Sequence, residues 1–277
     1  MKSFFPVLVL ALFCASAALA APSGALAPFA GLEGNLDIAG GTAHIPVMNG
    51  AARNIMEANP DIRITVAGGG SGVGVQKVGE GLVHIGNTGR ALKDSEIARY
   101  GLVSFPFAID GVAVVVHPQN PVGALGKEQL KKIFAGEISN WKEVGGLDAA
   151  ISLYIREDGS GTRETFESRA LDAGQSAAKS NVVSSNGAMK TAVAQDPNAI
   201  GYVGIGHLDD STKGVILDGM VPSQQNAADG SYTVTRLLYM NTKGQARGLT
   251  GAFIDYIYSA DGKAIIAKAG YIPMDRP

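Results

Sequence analysis

The sequence predicts an α/β fold, with strands and helices alternating along the chain. Three observations carry that prediction. Short apolar runs such as Ile62–Ala67 (IRITVA) and Val112–Val116 (VAVVV) alternate with longer segments of helical spacing. Glycine, 37 of 277 residues, gathers in the turns between them. At least three strand-to-helix turns also carry hydroxyls: Thr42, Ser71, and Ser160 with Thr162.

The elements follow in order. Leu36–Ala39 reads as a strand, then a Gly-Gly-Thr turn, then a helix over IPVMNGAARNIMEAN with Pro46 suited to its first turn. Ile62–Ala67 is a second strand. GGGSG follows, then a helix with Val75, Val78 and Leu82 at helical spacing. Val83–Gly86 is a third strand, ending in NTGR. Val112–Val116 is apolar at every position, as in a strand buried on both faces. KEQLKKIFAG is a helix stopped by Gly136. ISLYI (Ile151–Ile155) is a strand that runs into REDGSGTR (Arg156–Arg163) and a helix over ETFESRALDAG. IGYVGI is a further strand, and RGLTGAFIDYIYSADGKAIIAKAG forms two closing helices. A turn after a parallel strand lies at the carboxyl edge of the sheet, where ligands bind. Residues 21–33, rich in Ala, Pro and Gly, read as a flexible leader.

Composition narrows the function. Basic residues number 23 and acidic residues 25, with no basic block, so nucleic acid is not an expected partner. Lys2, the apolar run FFPVLVLALFCASA and Ala18–Ala20 have the form of a secretory signal cut after Ala20. The product is then expected to be periplasmic or secreted. Cys14, the sole cysteine, lies in that signal, so the mature chain has no thiol chemistry. The four histidines, His44, His84, His117 and His207, show no metal-ligand spacing. No metal or other cofactor is expected. His44 reads as a surface residue at a helix start, and Trp141 as a packing anchor. Neither a phosphate-binding G-x-x-x-x-G-K-[ST] loop, a G-x-G-x-x-G turn nor a G-x-S-x-G nucleophile elbow occurs.

Hydroxyls and glycines at helix starts can bind an anion. The first turn of a helix presents unpaired N–H groups and the positive end of the dipole. Glycine lets the backbone approach, and Ser and Thr add uncharged donors. Such turns are usually N-caps and turn geometry alone. Their recurrence in distant parts of the chain weakens that reading, and three such turns pointing into one cleft would make an anion site. Arg156 adds a bidentate donor for a tetrahedral oxyanion. Asp158 could orient Arg156, Arg90 could be a second cation, and the alternative is that Arg156 with Glu157 and Asp158 forms a surface ion pair.

The sequence resembles the periplasmic phosphate-binding proteins of ABC transporters, the shorter subgroup of type II substrate-binding proteins. The pieces are IAGGTAHIP, ITVAGGGSGVGV, HIGNTGR, AIDGVAVVVHPQNPV, QLKKIFAGEISNWKEVGG, REDGSGTRETF and IGYV. The resemblance implies a two-lobed type II periplasmic-binding-protein fold, with mixed, mostly parallel sheets flanked by helices and a two-strand hinge. The lobes would span 34–110 with 236–277, and 111–235, crossing near Ala108–Val112 and Val234–Tyr239. It implies a non-enzymatic, monomeric receptor that delivers inorganic phosphate to a membrane ABC permease. Its phosphate loops fall on Thr42 and Ala43; on Ser71 and Gly72; on Gly89 and Arg90, with Thr88 behind them; and on Arg156, Ser160, Gly161 and Thr162, with Asp158 behind them. The third loop departs from the family, because Gly89 stands where an Asp or Ser is usual. A carboxylate there rewards the proton that phosphate keeps and sulfate lacks. Without it, selectivity must come from elsewhere, or the ligand is another tetrahedral oxyanion. A secreted phosphate-ester hydrolase is the rival of a different class.

Overall fold

A computed structural model describes residues 24–174, 176 and 179–277. The expected signal and its cleavage site lie outside them. The chain begins its first sheet with β1 (Gly34–Gly40), turns through a short 3-10 helix (Thr42–His44) and enters α1 (Ile45–Ala58). There follow β2 (Ile62–Gly69), α2 (Gly70–Gly79), β3 (Ile85–Thr88) and α3 (Asp94–Tyr100). A 15-residue strand, β4 (Leu102–Val116), leads to β5 (Ala124–Leu125) and α4 (Lys127–Ala135). Next come β6 (Ser152–Arg156), α5 (Gly161–Arg169), β7 (Asn181–Val183), α6 (Asn186–Gln195) and β8 (Ala199–Gly204). The chain closes through β9 (Lys213–Gly214), β10 (Ile216–Leu217), α7 (Gln224–Ala228), β11 (Thr235–Lys243), α8 (Gly248–Tyr258), α9 (Ala260–Lys268) and β12 (Ile272–Pro273).

The strands form one mixed path in the order β2-β1-β3-β11-β4-β8-β6-β7. Pairing is parallel towards both ends, β2-β1-β3 and β8-β6-β7. It is antiparallel in the middle, where β11 pairs β3 and β4, and β4 pairs β8. Two hydrophobic cores flank that middle. One gathers Leu36, Ile38, Val47, Ile55, Phe107, Leu238, Phe253 and Ile257. The other gathers Val112, Val114, Phe134, Trp141, Phe166, Tyr202 and Val234. Strand β4 supplies both: Phe105–Ala108 to the first, Val112–Val116 mainly to the second. Burying each such side chain contributes about 1.5–3 kcal/mol, so the two cores are each held strongly.

The apolar run Val112–Val116 is only the last third of β4. Its earlier part is masked in the sequence by Pro106, which lacks an N–H and interrupts a strand pattern. The structure accommodates it at a bulge: Leu238 faces Ala108 and Tyr239 faces Pro106, leaving Phe107 unopposed. The described part of the expected leader, residues 24–33, is anchored. Gly24–Phe29 forms a 3-10 helix and Phe29 is fully buried in the first core. Asn59 Nδ2 fastens it by donating to the carbonyls of Phe29 and Leu32, each at 2.8 Å. A single buried aromatic outweighs the loop-like composition around it. Trp141 is a packing anchor as expected, 1% exposed, with Nε1 donating to the Asn198 carbonyl.

Candidate functional site

The helix starts that carry hydroxyls converge between the two cores. Gly69 and Gly70, with φ of 125° and 84°, let β2 turn directly into α2, so Ser71 sits in its first turn. Ser160 caps α5, its Oγ accepting from Arg163 N at 3.3 Å. Thr42 opens the 3-10 turn into α1. These segments enclose a small cavity of about 10 Å³. That is far below the roughly 300–1,000 Å³ of pockets for drug-sized ligands, and leaves room for no more than a small ligand of a few heavy atoms.

Of the sequence-predicted residues, Thr42, Ala43, Ser71, Gly89, Arg156, Ser160, Gly161 and Thr162 all line this cavity. The four hydroxyls are polarised alike. Thr42 Oγ1 accepts from Asn186 N and Nδ2 at 3.3 and 3.1 Å. Ser71 Oγ accepts from Gly89 N at 3.0 Å, and Thr162 Oγ1 from Arg236 Nη1 at 2.9 Å. Ser160 Oγ, as cap, is also an acceptor. A hydroxyl has one proton and two lone pairs. Protein N–H groups occupy the acceptor side of each, so the O–H protons remain to be donated.

Arg156 is 1% exposed. Its Nε and Nη2 reach the Glu157 carboxylate at 2.8 and 2.7 Å, while Nη1 is buried without a partner. A buried guanidinium N–H with nothing to bond is costly unless an acceptor meets it. Gly161 is required by space. A Cβ there would lie 2.3 Å from Ser71 Oγ and 3.2 Å from Gly89 Cα, across the cleft.

Four expectations are corrected. Asp158 does not hold Arg156; its side chain is 97% exposed and pairs with Arg163 at 2.8 Å. The adjacent Glu157 reaches Arg156 instead, because the strand ends at Arg156 and the following turn folds Glu157 back over the guanidinium. Arg90 does not line the cavity. It is drawn away by Glu96, which takes both Nη atoms at 2.8 Å, and by Glu164, which takes Nε at 2.8 Å. The Glu96 hydrogen bonds raise its pKa further. Gly72 lies outside the cavity wall, its N–H donating to the Gly159 carbonyl at 3.0 Å. His44 is not a surface residue but fully buried, in the cavity wall. Thr88 is buried behind the wall, donating to the Arg90 carbonyl and accepting from Asn241 Nδ2.

Sequence reasoning missed Arg236. It lines the cavity, with Nε and Nη2 on Asp110 Oδ2 at 2.9 and 2.7 Å. These two charges lie far apart in sequence, on the paired strands β4 and β11. The only signal was a charge within each of two largely apolar runs, Phe105–Val116 and Arg236–Met240. Burial raises the Asp110 pKa, against the pull of Arg236. His44 touches Gly41 O through Nδ1 at 3.1 Å, and its Nε2 is unpartnered. Burial, reinforced by the Arg236 charge, lowers its pKa to about 3, so the ring is neutral at physiological pH. Among the described residues, no His, Cys, Asp or Glu cluster is arranged to hold a metal.

The site sits in a chain with clear relatives. Residues 27–261 match the family model of the PBP superfamily domain. The chain is 42% identical over 245 residues to the phosphate-binding protein PstS of Bacillus subtilis, covering 87% of this chain and 81% of that protein. Among solved structures, it resembles a putative phosphate ABC transporter substrate-binding protein with bound phosphate from Clostridium perfringens. That match has a TM-score of 0.83 at 36% identity, over 87% of this chain and all of the other. An ABC-type phosphate transport receptor from Vibrio cholerae matches with a TM-score of 0.70 at 34% identity, covering 86% and 99% of the two chains.

Proposed function

Since the chain belongs to the PBP superfamily and, within it, to the family of PstS phosphate-binding proteins, we propose that it captures inorganic phosphate for delivery to a membrane ABC permease. The observation that carries this reading is the buried, unpartnered Nη1 of Arg156 in a small cavity walled by four donor hydroxyls. Fixed donors around a desolvated space bind an anion at little reorganisation cost. Thr42, Ala43, Ser71, Gly89, Arg156, Ser160, Gly161 and Thr162 are the proposed contacts, joined by Arg236 and His44.

The protein is a receptor rather than an enzyme. A nucleophilic hydroxyl needs a base to take its proton. The partners of Ser71 and Ser160 are N–H donors, which leave that proton in place. The anion is held between two lobes, residues 34–110 with 236–277 and residues 111–235, hinged on β4 and β11. Phosphate binds the closed arrangement preferentially and shifts the population towards it. The working form is a monomer, exported and cut after Ala20. Calorimetry of the mature, ligand-stripped chain against phosphate tests the reading. One saturable site per chain is expected, and no saturable heat would reject it.

A further inference from the structure

The cavity wall is unusual in its charges. Two guanidinium groups reach it, from Arg156 and Arg236, and among its lining side chains there is no carboxylate. The two arginines are mounted in the same way. Each gives its Nε and Nη2 edge to a carboxylate outside the cavity wall, Glu157 for one and Asp110 for the other. Each keeps Nη1 on the cavity side. For Arg156 that nitrogen has no partner; for Arg236 it bonds Thr162 Oγ1, leaving a second N–H free.

Position 89 explains why an acidic residue is absent. A Cβ on Gly89 would lie 2.7 Å from Arg236 Nη1 and 3.2 Å from its Cζ. The space that a side chain at 89 would use is taken by the guanidinium. A carboxylate that accepts the ligand proton also repels an anion lacking one, and so excludes fully ionised species. Here that place holds a donor. His44, the one titratable side chain in the wall besides the two arginines, is buried and neutral. It carries no charge to repel an unprotonated anion.

We propose that Arg236 stands in place of a proton-reading carboxylate, and that the cavity therefore accepts tetrahedral dianions with or without a proton, sulfate as well as phosphate. This rests on the reading of the cavity as the anion site. Any preference for phosphate is then modest, because no charge in the wall opposes sulfate.

The test is a pair of calorimetric titrations of the mature, ligand-stripped chain, with phosphate and with sulfate, at pH 7.5 and matched ionic strength. Sulfate should bind within a hundredfold of phosphate. Phosphate binding with sulfate more than a hundredfold weaker overturns this inference and leaves the phosphate reading intact. Sulfate binding without phosphate binding overturns both the phosphate reading and the claim that the cavity takes both dianions. The paired variant Asp110→Asn with Arg236→Gln removes the charge without stranding its partner. Thermal melting confirms that it folds, and its sulfate affinity should fall at least fivefold. A smaller fall removes Arg236 from the role assigned to it.

Discussion

The Arg90 guanidinium meets the Glu164 carboxylate across the cleft, Nε to Oε2 at 2.8 Å. Arg90 follows β3 beside the first core, and Glu164 lies on α5 against the second. The residue that the sequence offers as an anion ligand is thus a strut between the two sides. Partly exposed ion pairs are worth about 0.2–1 kcal/mol. Glu164→Gln should therefore speed phosphate release by roughly two- to fivefold, with little change in association rate. Stopped-flow dissociation measures this directly, and an unchanged release rate would deny the pair a part in closure.

Three substitutions separate the residues around Arg156. Arg156→Ala removes a charge-assisted donor and strands Glu157, so a loss of about 2–5 kcal/mol in phosphate affinity is expected. Glu157→Gln should weaken binding by a lesser amount, through a poorly held guanidinium. Asp158→Asn should change it by less than about 0.5 kcal/mol, as for an exposed surface position. A larger effect from Asp158 than from Glu157 would contradict the observed pairing. Ser71→Ala and Thr162→Val each remove one hydrogen bond to a charged ligand, for about 1.5–3 kcal/mol apiece.

Gly161→Ala probes the approach of the two sides. The added methyl meets Ser71 Oγ and the Gly89 backbone, both across the cleft. Within α5, alanine is a better helix former than glycine. The ligand-free variant should melt at or slightly above the wild-type temperature, while phosphate affinity drops at least tenfold. Equal affinity would mean that the bound cleft does not need the close approach of Gly161 to Ser71.

Two histidines, His44 fully buried and His207 partly buried, make stability sensitive to acid. Burial lowers the His44 pKa to about 3 and the His207 pKa to about 4. Both are neutral when folded, whereas the unfolded chain takes up protons near pH 6.5. Protons therefore favour the unfolded state, and stability is lost as pH falls from about 6.5 towards 4, at up to roughly 1.4 kcal/mol per unit for each histidine. Denaturant midpoints at pH 7.5 and 5 should show the loss, and His207→Gln should reduce it. An identical slope in the variant would assign the effect elsewhere.

Much of the site was legible because turn chemistry is local. Gly-Gly-Thr, Gly-Gly-Gly-Ser-Gly and Gly-Ser-Gly-Thr each announce a helix start with a donor, whatever the rest of the chain does. What stayed hidden depends on pairing over long distances. Arg236 and Asp110 become partners only when β11 lies against β4, 126 residues apart in sequence. His44 looks exposed by its place at a helix start, and becomes buried only when Phe107 of the bulged strand packs against its ring. The Arg156 partner was misjudged because two acids follow it, and only the backbone path after β6 decides which one folds back.

The most direct test is a crystal structure of the mature chain grown with phosphate. The account predicts one phosphate in the central cavity, with Arg156 Nη1 and the hydroxyls of Thr42, Ser71, Ser160 and Thr162 within hydrogen-bond distance of its oxygens. Phosphate bound elsewhere, or a central cavity without it at saturating concentration, would contradict the account.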